Sequence, residues 1–127
     1  MKYTCIKPVE AWRHTAAEEI VDLDTLDSST SIFCGSARAA ARAYPRNANL
    51  AAAVAFAGLG LDRTEVELIA DPGATEIYAR IEAQSATGEL DVAVAGAGFS
   101  GNPKSSRITA MSAIAALYDR TEAVLFA

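Results

Sequence analysis

Two polar clusters punctuate an otherwise alanine-rich chain, and both stand where helices are expected to begin. The first is Asn47-Ala48-Asn49, set between Tyr44-Pro45, which stops one helix, and Leu50, Val54, Ala57 and Leu61, which recur at helical spacing. An asparagine amide carries both donors and an acceptor, so Asn47 and Asn49 either cap the following helix or present that amide to a ligand. The second cluster is Asn102-Pro103-Lys104-Ser105-Ser106, expected to open the last helix. There, backbone amides, two hydroxyls and one ammonium could converge on a carboxylate; a helix cap beside a solvated lysine is the other reading. His14, the single histidine, lies in a polar segment and is expected at the surface, not as an acid-base group. Cys5 and Cys34 are far apart and lack metal-ligand spacing, which argues against zinc and a disulfide framework and suits a reducing cytoplasm.

The elements that must position these residues follow from local pattern. Lys2 to Ile6 alternates as an edge or entry strand closed by Lys7-Pro8. Glu10 to Ser31 reads as an acidic surface connection with one helical turn, which Thr15 and Glu18 would open as a capping box. Ile32-Phe33-Cys34 is a short buried strand, after which Ser36 caps a helix running through Ala43. The helix beginning near Asn49 should be fully buried and end at Gly58 and Gly60. Thr64 to Ala70, Thr75 to Gln84 and Leu90 to Val94 alternate as three strands, with turns at Asp71-Pro72-Gly73 and Thr87-Gly88, and predict an antiparallel meander. A helix from Ser105 or Ser106 to Arg120 closes the order, carrying Ile108, Met111, Ala115 and Tyr118 on one face. The fold class is α+β: one domain, residues 1–127, with a mainly antiparallel sheet and helices packed on one face. The other face needs cover. Ile77, Ala79 and Ile81, with Ala93, Ala95 and Ala97, are small and apolar for a wet surface, so a homodimer through the sheet is the simplest expectation, and a larger parent protein would also cover it.

Composition sets the outer limits. At 127 residues, 51% hydrophobic and only 7% aromatic, the chain can bury a core of closely spaced elements without staples. A formal net charge of -5 with eleven scattered Lys and Arg gives no field for phosphates, so nucleic acid is not expected as a partner. No run approaches the roughly 18 apolar residues of a membrane span, and the first ten residues lack a signal-peptide core.

Specific blocks go further. Phe33-Cys34-Gly35-Ser36-Ala37-Arg38-Ala39-Ala40, then Tyr44-Pro45-Arg46-Asn47-Ala48-Asn49-Leu50-Ala51-Ala52, then Gly58-Leu59-Gly60-Leu61-Asp62-Arg63-Thr64, resemble the second half of L-aspartate dehydrogenases. Ala70-Asp71-Pro72 and Asn102-Pro103-Lys104-Ser105-Ser106 follow in the order of that family's ADP and NPKTS blocks, and the resemblance runs from Lys7-Pro8 onward. It implies an oxidoreductase that takes aspartate to iminosuccinate with NAD or NADP, in which this domain holds the substrate and a Rossmann domain holds the nucleotide. The dinucleotide fingerprint is not found here, because Gly58-Leu59-Gly60 and Gly96-Ala97-Gly98 follow the wrong elements and lack a third glycine. Hydride transfer would therefore need that other domain. By the same resemblance Asn49 faces the nicotinamide end of the cofactor; Asn47, Lys104, Ser105 and Ser106 are the candidates to bind a small dicarboxylate or amino-acid substrate. One departure is sharp. The family's Asn-x-His, whose imidazole is taken as the proton-transfer group, falls on Ile77-Tyr78-Ala79, and a methyl group accepts no proton. The expected alternatives are a dehydrogenase with altered proton transfer and a non-catalytic carboxylate-binding or dimerisation module.

Overall fold

The computed structural model describes residues 1–96, 98–99, 102–106 and 114. Among the described residues up to Ser106, seven strands and two α-helices run in the order β1 (Lys2–Pro8), β2 (Thr30–Ser36), α1 (Ala37–Ala43), α2 (Asn49–Ala57), β3 (Glu65–Asp71), β4 (Ile77–Ser85), β5 (Gly88–Gly96), β6 (Gly98–Phe99) and β7 (Asn102–Ser106). Two 3-10 helical turns, Val9–Trp12 and Ala16–Glu19, lie between β1 and β2. The main sheet has the order β2-β3-β1-β4-β5. Only β1 with β3 is parallel; the other three pairings are antiparallel, so the expected α+β class with a mainly antiparallel sheet is what the chain forms.

Two expectations are corrected by this order. β1 is the central strand, not an edge, with Cys5 beside Leu68 on one side and Ala79 on the other. Because β1 inserts between β3 and β4, the three later strands do not form a meander; β4 and β5 alone are a hairpin, closed by Ala86-Thr87. The reason lies in β1's alternation. Tyr3, Cys5 and Lys7 are buried on the core face and even the outer-face residues between them are half-buried, which suits a strand inside the sheet better than one at its edge.

The core side of the sheet carries Tyr3 and Cys5 of β1 with Val66, Leu68 and Ala70 of β3. α1 packs over β2 and β3, and its N-terminus is capped as its sequence implied, with Ser36 Oγ accepting from the Ala39 amide at 3.2 Å. α2 departs from expectation. Its N-cap is Ala48, so neither Asn47 nor Asn49 caps it. Its core face is Ala51, Val54 and Ala55, while Leu50, Phe56 (74% exposed) and Leu59 face outward, so it is half-buried. The alanines let the helix lie close to its neighbours, and the bulkier side chains are left on the far face. Gly60, at φ 85°, takes the left-handed conformation that ends this helix and returns its amide to the Ala55 carbonyl at 2.8 Å.

The segment after β1 is not a surface connection. Ala11, Trp12, Ala17 and Leu23 are buried, and Trp12 meets Tyr44 edge-on at 5.9 Å, with Phe33 against Tyr44 at 5.7 Å. Tyr44 also donates from its hydroxyl to the Ile32 carbonyl at 3.2 Å. Arg13 ties the outer rim together, reaching Glu10 at 2.7 Å and Asp24 at 2.8 Å. The capping box is shifted by one residue: Thr15 Oγ1 accepts from Ala17, and Glu18 reaches back to the His14 amide.

Register also separates the residues expected to share one dimer face. Ala79 lies beside Val94 and Ile81 beside Val92, whereas Ala93 is opposite Arg80 and Ala95 opposite Tyr78. Residues directly opposite in a ladder project to the same face, so Ile77, Ala79 and Ile81 share the core side with Val92 and Val94. Ala93 and Ala95 stand on the outer side, beside the Arg80–Asp91 ion pair at 2.6 Å; Ala97 lies outside the described residues. Exposed Arg80 holds the Asp91 carboxyl below its ordinary range through that hydrogen-bonded contact.

The two cysteines differ in access. Cys5 is buried in the centre of the sheet, where desolvation pushes its thiol pKa up, whereas Cys34 is exposed on β2. A thiol-alkylating reagent at neutral pH should therefore modify Cys34 alone in the folded chain, with Cys5 reacting only after denaturation. Mass spectrometry before and after adding denaturant reads this directly; rapid native labelling at Cys5 would contradict its burial.

Candidate functional site

The C-terminal end of β1 delivers Lys7, and the chain then turns at once through Val9–Trp12. Alternation puts Lys7 in the buried phase of Tyr3 and Cys5, so its ammonium is carried to the core side at 5% exposure. It lies 5.5 Å above the centre of the Trp12 ring and donates to the Asn47 main-chain carbonyl at 3.4 Å. Both neighbours favour a cation: the ring through its negative face, the carbonyl through its dipole.

Asn47 reaches the same turn from the loop between α1 and α2. Its Nδ2 donates to the Ala11 carbonyl at 2.9 Å, which fixes the loop against the turn. Asn47 Oδ1 and Trp12 Nε1 are buried and have no hydrogen-bond partner among the described residues. An acceptor and a donor left unmade in one corner is a costly arrangement, since buried polar groups in folded proteins are nearly always paired. Beside this corner Asn47 lines an open depression of about 320 Å³ with His14, Thr15, Tyr44 and Arg46.

The backbone of β7 lies against the Val9–Trp12 turn, so Asn102 to Ser106 and Asn47 approach the same element from two directions. The form of that segment differs from expectation. Lys104, Ser105 and Ser106 belong to a strand paired with Gly98–Phe99, with Gly98 beside Ser106, and do not begin a helix. Proline after Asn102, which disfavours helical geometry at the residue before it, fits an extended start. Of the rest of the expected helix only Ile114 is described, as a helical and exposed residue; Ile108, Met111, Ala115 and Tyr118 lie outside the described residues. Asn49 begins α2 two residues beyond Asn47, is exposed, and makes no side-chain hydrogen bond among the described residues. His14 is exposed as expected. Ala79 is buried on β4, on the face that Lys7 shares.

Sequence reasoning missed Lys7 and Trp12. It read Lys7-Pro8 as a strand terminator, although the spacing Tyr3, Cys5, Lys7 carried the signal of an inward-facing ammonium. A second hollow, about 600 Å³ between α2 and the β4–β5 hairpin, lies near Met1 at the other end of β1 and is lined mainly by apolar residues such as Val54, Leu59, Ile81 and Leu90. Among the described residues no His, Cys, Asp and Glu group is spaced to hold a metal, and no helix is long and apolar enough to cross a membrane.

Sheet order and helix placement define the class: an α+β domain built on a mixed, mainly antiparallel sheet. The aspartate dehydrogenase of Thermotoga maritima has the same fold, with a TM-score of 0.70 at 21% identity over 99% of this chain and 46% of that one. The chain belongs to the aspartate dehydrogenase C-terminal family, whose profile matches residues 1–120. An L-aspartate dehydrogenase of Cupriavidus necator is 50% identical over 122 residues, 96% of this chain and 46% of the relative. One from Ruegeria pomeroyi is 50% identical over 96% of this chain and 44% of its own length. The chain thus spans a little under half of the relatives it matches.

Proposed function

We propose that this chain is the substrate-binding domain of an NAD(P)-dependent L-aspartate dehydrogenase-like oxidoreductase, acting on aspartate and iminosuccinate in company with a nucleotide-binding domain. The observation that carries the reading is the meeting of Asn47 and the Asn102–Ser106 strand at the Val9–Trp12 turn, in a chain half identical to enzymes of that name. In this reading the nicotinamide accepts the hydride, and Asn49 offers its exposed amide to the carboxamide. Asn47, with Lys104, Ser105 and Ser106, holds the dicarboxylate. Ala79 favours a second reading, a carboxylate-binding or pairing module without catalysis, since a methyl group stands where the resemblance places a histidine. Joining the chain to the nucleotide-binding half of the Cupriavidus relative and following aspartate-dependent NAD(P)H formation separates the two. Turnover supports the dehydrogenase; binding of aspartate without turnover supports the module.

Pairing of two copies over the outer face of the sheet belongs to the same proposal. That face mixes Ile6, Ile69, Tyr78, Ala93 and Ala95 with the Lys2–Glu67 and Arg80–Asp91 ion pairs, a composition suited to a part-polar interface. Light scattering at low micromolar concentration should report the dimer mass, and a strict monomer would end the pairing proposal.

A further inference from the structure

We propose that Lys7 is a direct ligand of a substrate carboxylate, so that the Lys7, Trp12 and Asn47 corner forms the anion-binding end of the site. The inference rests on the substrate-binding reading above and adds to it a residue outside the two polar clusters. Its ground is complementarity. Lys7 Nζ and Trp12 Nε1 are donors, and Asn47 Oδ1 is an acceptor, the latter two buried and unpartnered among the described residues. An amino acid with a carboxylate side chain offers the reverse set: carboxylate oxygens for the two donors and an ammonium for the acceptor. The corner is built, not incidental. Asn47 is held by the Ala11 carbonyl, Trp12 by its edge contact with Tyr44, and Lys7 by the central strand of the sheet. Burying an ammonium is costly, and a well-packed apolar side chain of similar volume would be the more stable choice there.

Trp12, the only tryptophan, sits under Lys7 and reports on the corner. The 127-residue chain is titrated with L-aspartate and with succinate while Trp12 fluorescence is followed, for the wild type, Lys7→Met and Lys7→Arg. The expected result is a saturable change in the wild type and a loss of affinity on the order of 30-fold or more in Lys7→Met. Lys7→Arg should recover part of it. The unfolding midpoint of Lys7→Met, measured by circular dichroism, should equal or exceed that of the wild type, which separates lost binding from lost folding. Wild-type binding that Lys7→Met retains within about twofold overturns the role of Lys7 and leaves the substrate-binding reading standing. No saturable response to either acid in the wild type overturns both.

Discussion

Introducing a histidine by Ala79→His, in a fusion that supplies the nucleotide-binding half, is expected to raise aspartate oxidation by about 10²–10⁴-fold, the usual contribution of a placed general base. Ala79 is central on β4, beside Cys5 and Val94, and shares the core face with Lys7 two residues along the neighbouring strand. An imidazole there would enter a buried site, and desolvation would keep it neutral near pH 7, the form that accepts a proton. The unmodified 127-residue chain should show no aspartate-dependent NAD(P)H formation. Steady-state rates of the fusion with and without the substitution check the expectation. Unchanged rates, with the variant folded, would show that position 79 is not where proton transfer is controlled.

Trp12→Ala should cost about 3–5 kcal/mol of unfolding free energy, the range for deleting a buried aromatic side chain. The indole is fully buried, supports Tyr44 edge-on, and carries the Lys7 ammonium on its face. Removing it leaves a cavity between the 3-10 turn and the α1–α2 loop and exposes a buried cation to the gap. Since a domain of this size is stable by about 5–15 kcal/mol in all, the variant should be close to unfolding at body temperature. Urea denaturation followed by circular dichroism measures the loss; a cost below about 1 kcal/mol would mean that Trp12 is not central to packing.

The sequence pattern exposed local structure better than long-range order. Ser36 to Ala43 was legible because a capping serine and a Tyr-Pro stop bracket a short alanine-rich helix, and β3, β4 and β5 were legible because their polar and apolar residues alternate. What alternation does not encode is which strand lies beside which. The insertion of β1 between β3 and β4 depends on burial of both its flanks, and it reversed the expected edge position and split the expected meander. Trp12 and Leu23 were hidden for a related reason: single apolar residues among acids show no period, yet a 3-10 turn can still point them inward. At the site, the resemblance named the asparagines and the Asn102–Ser106 block, and the fold brings Asn47 and that block to one turn. The residues expected to open that helix, Lys104 to Ser106, lie in a strand, because Pro103 and pairing with Gly98–Phe99 favour extension.

The central placement of β1 also sets the order in which the chain can fold. The β4–β5 hairpin needs only a two-residue loop and can form on its own within microseconds or so. β1 has no local partner: Lys2 must find Glu65 on one side and Glu82 on the other, across most of the intervening chain. Closing such loops costs entropy before any pairing repays it, so β1 is among the last strands to be secured. Until then β3 and β4 lack their shared neighbour and expose strand edges. The interval before β1 docks is thus the period in which a newly made chain is most open to pairing with the wrong partner.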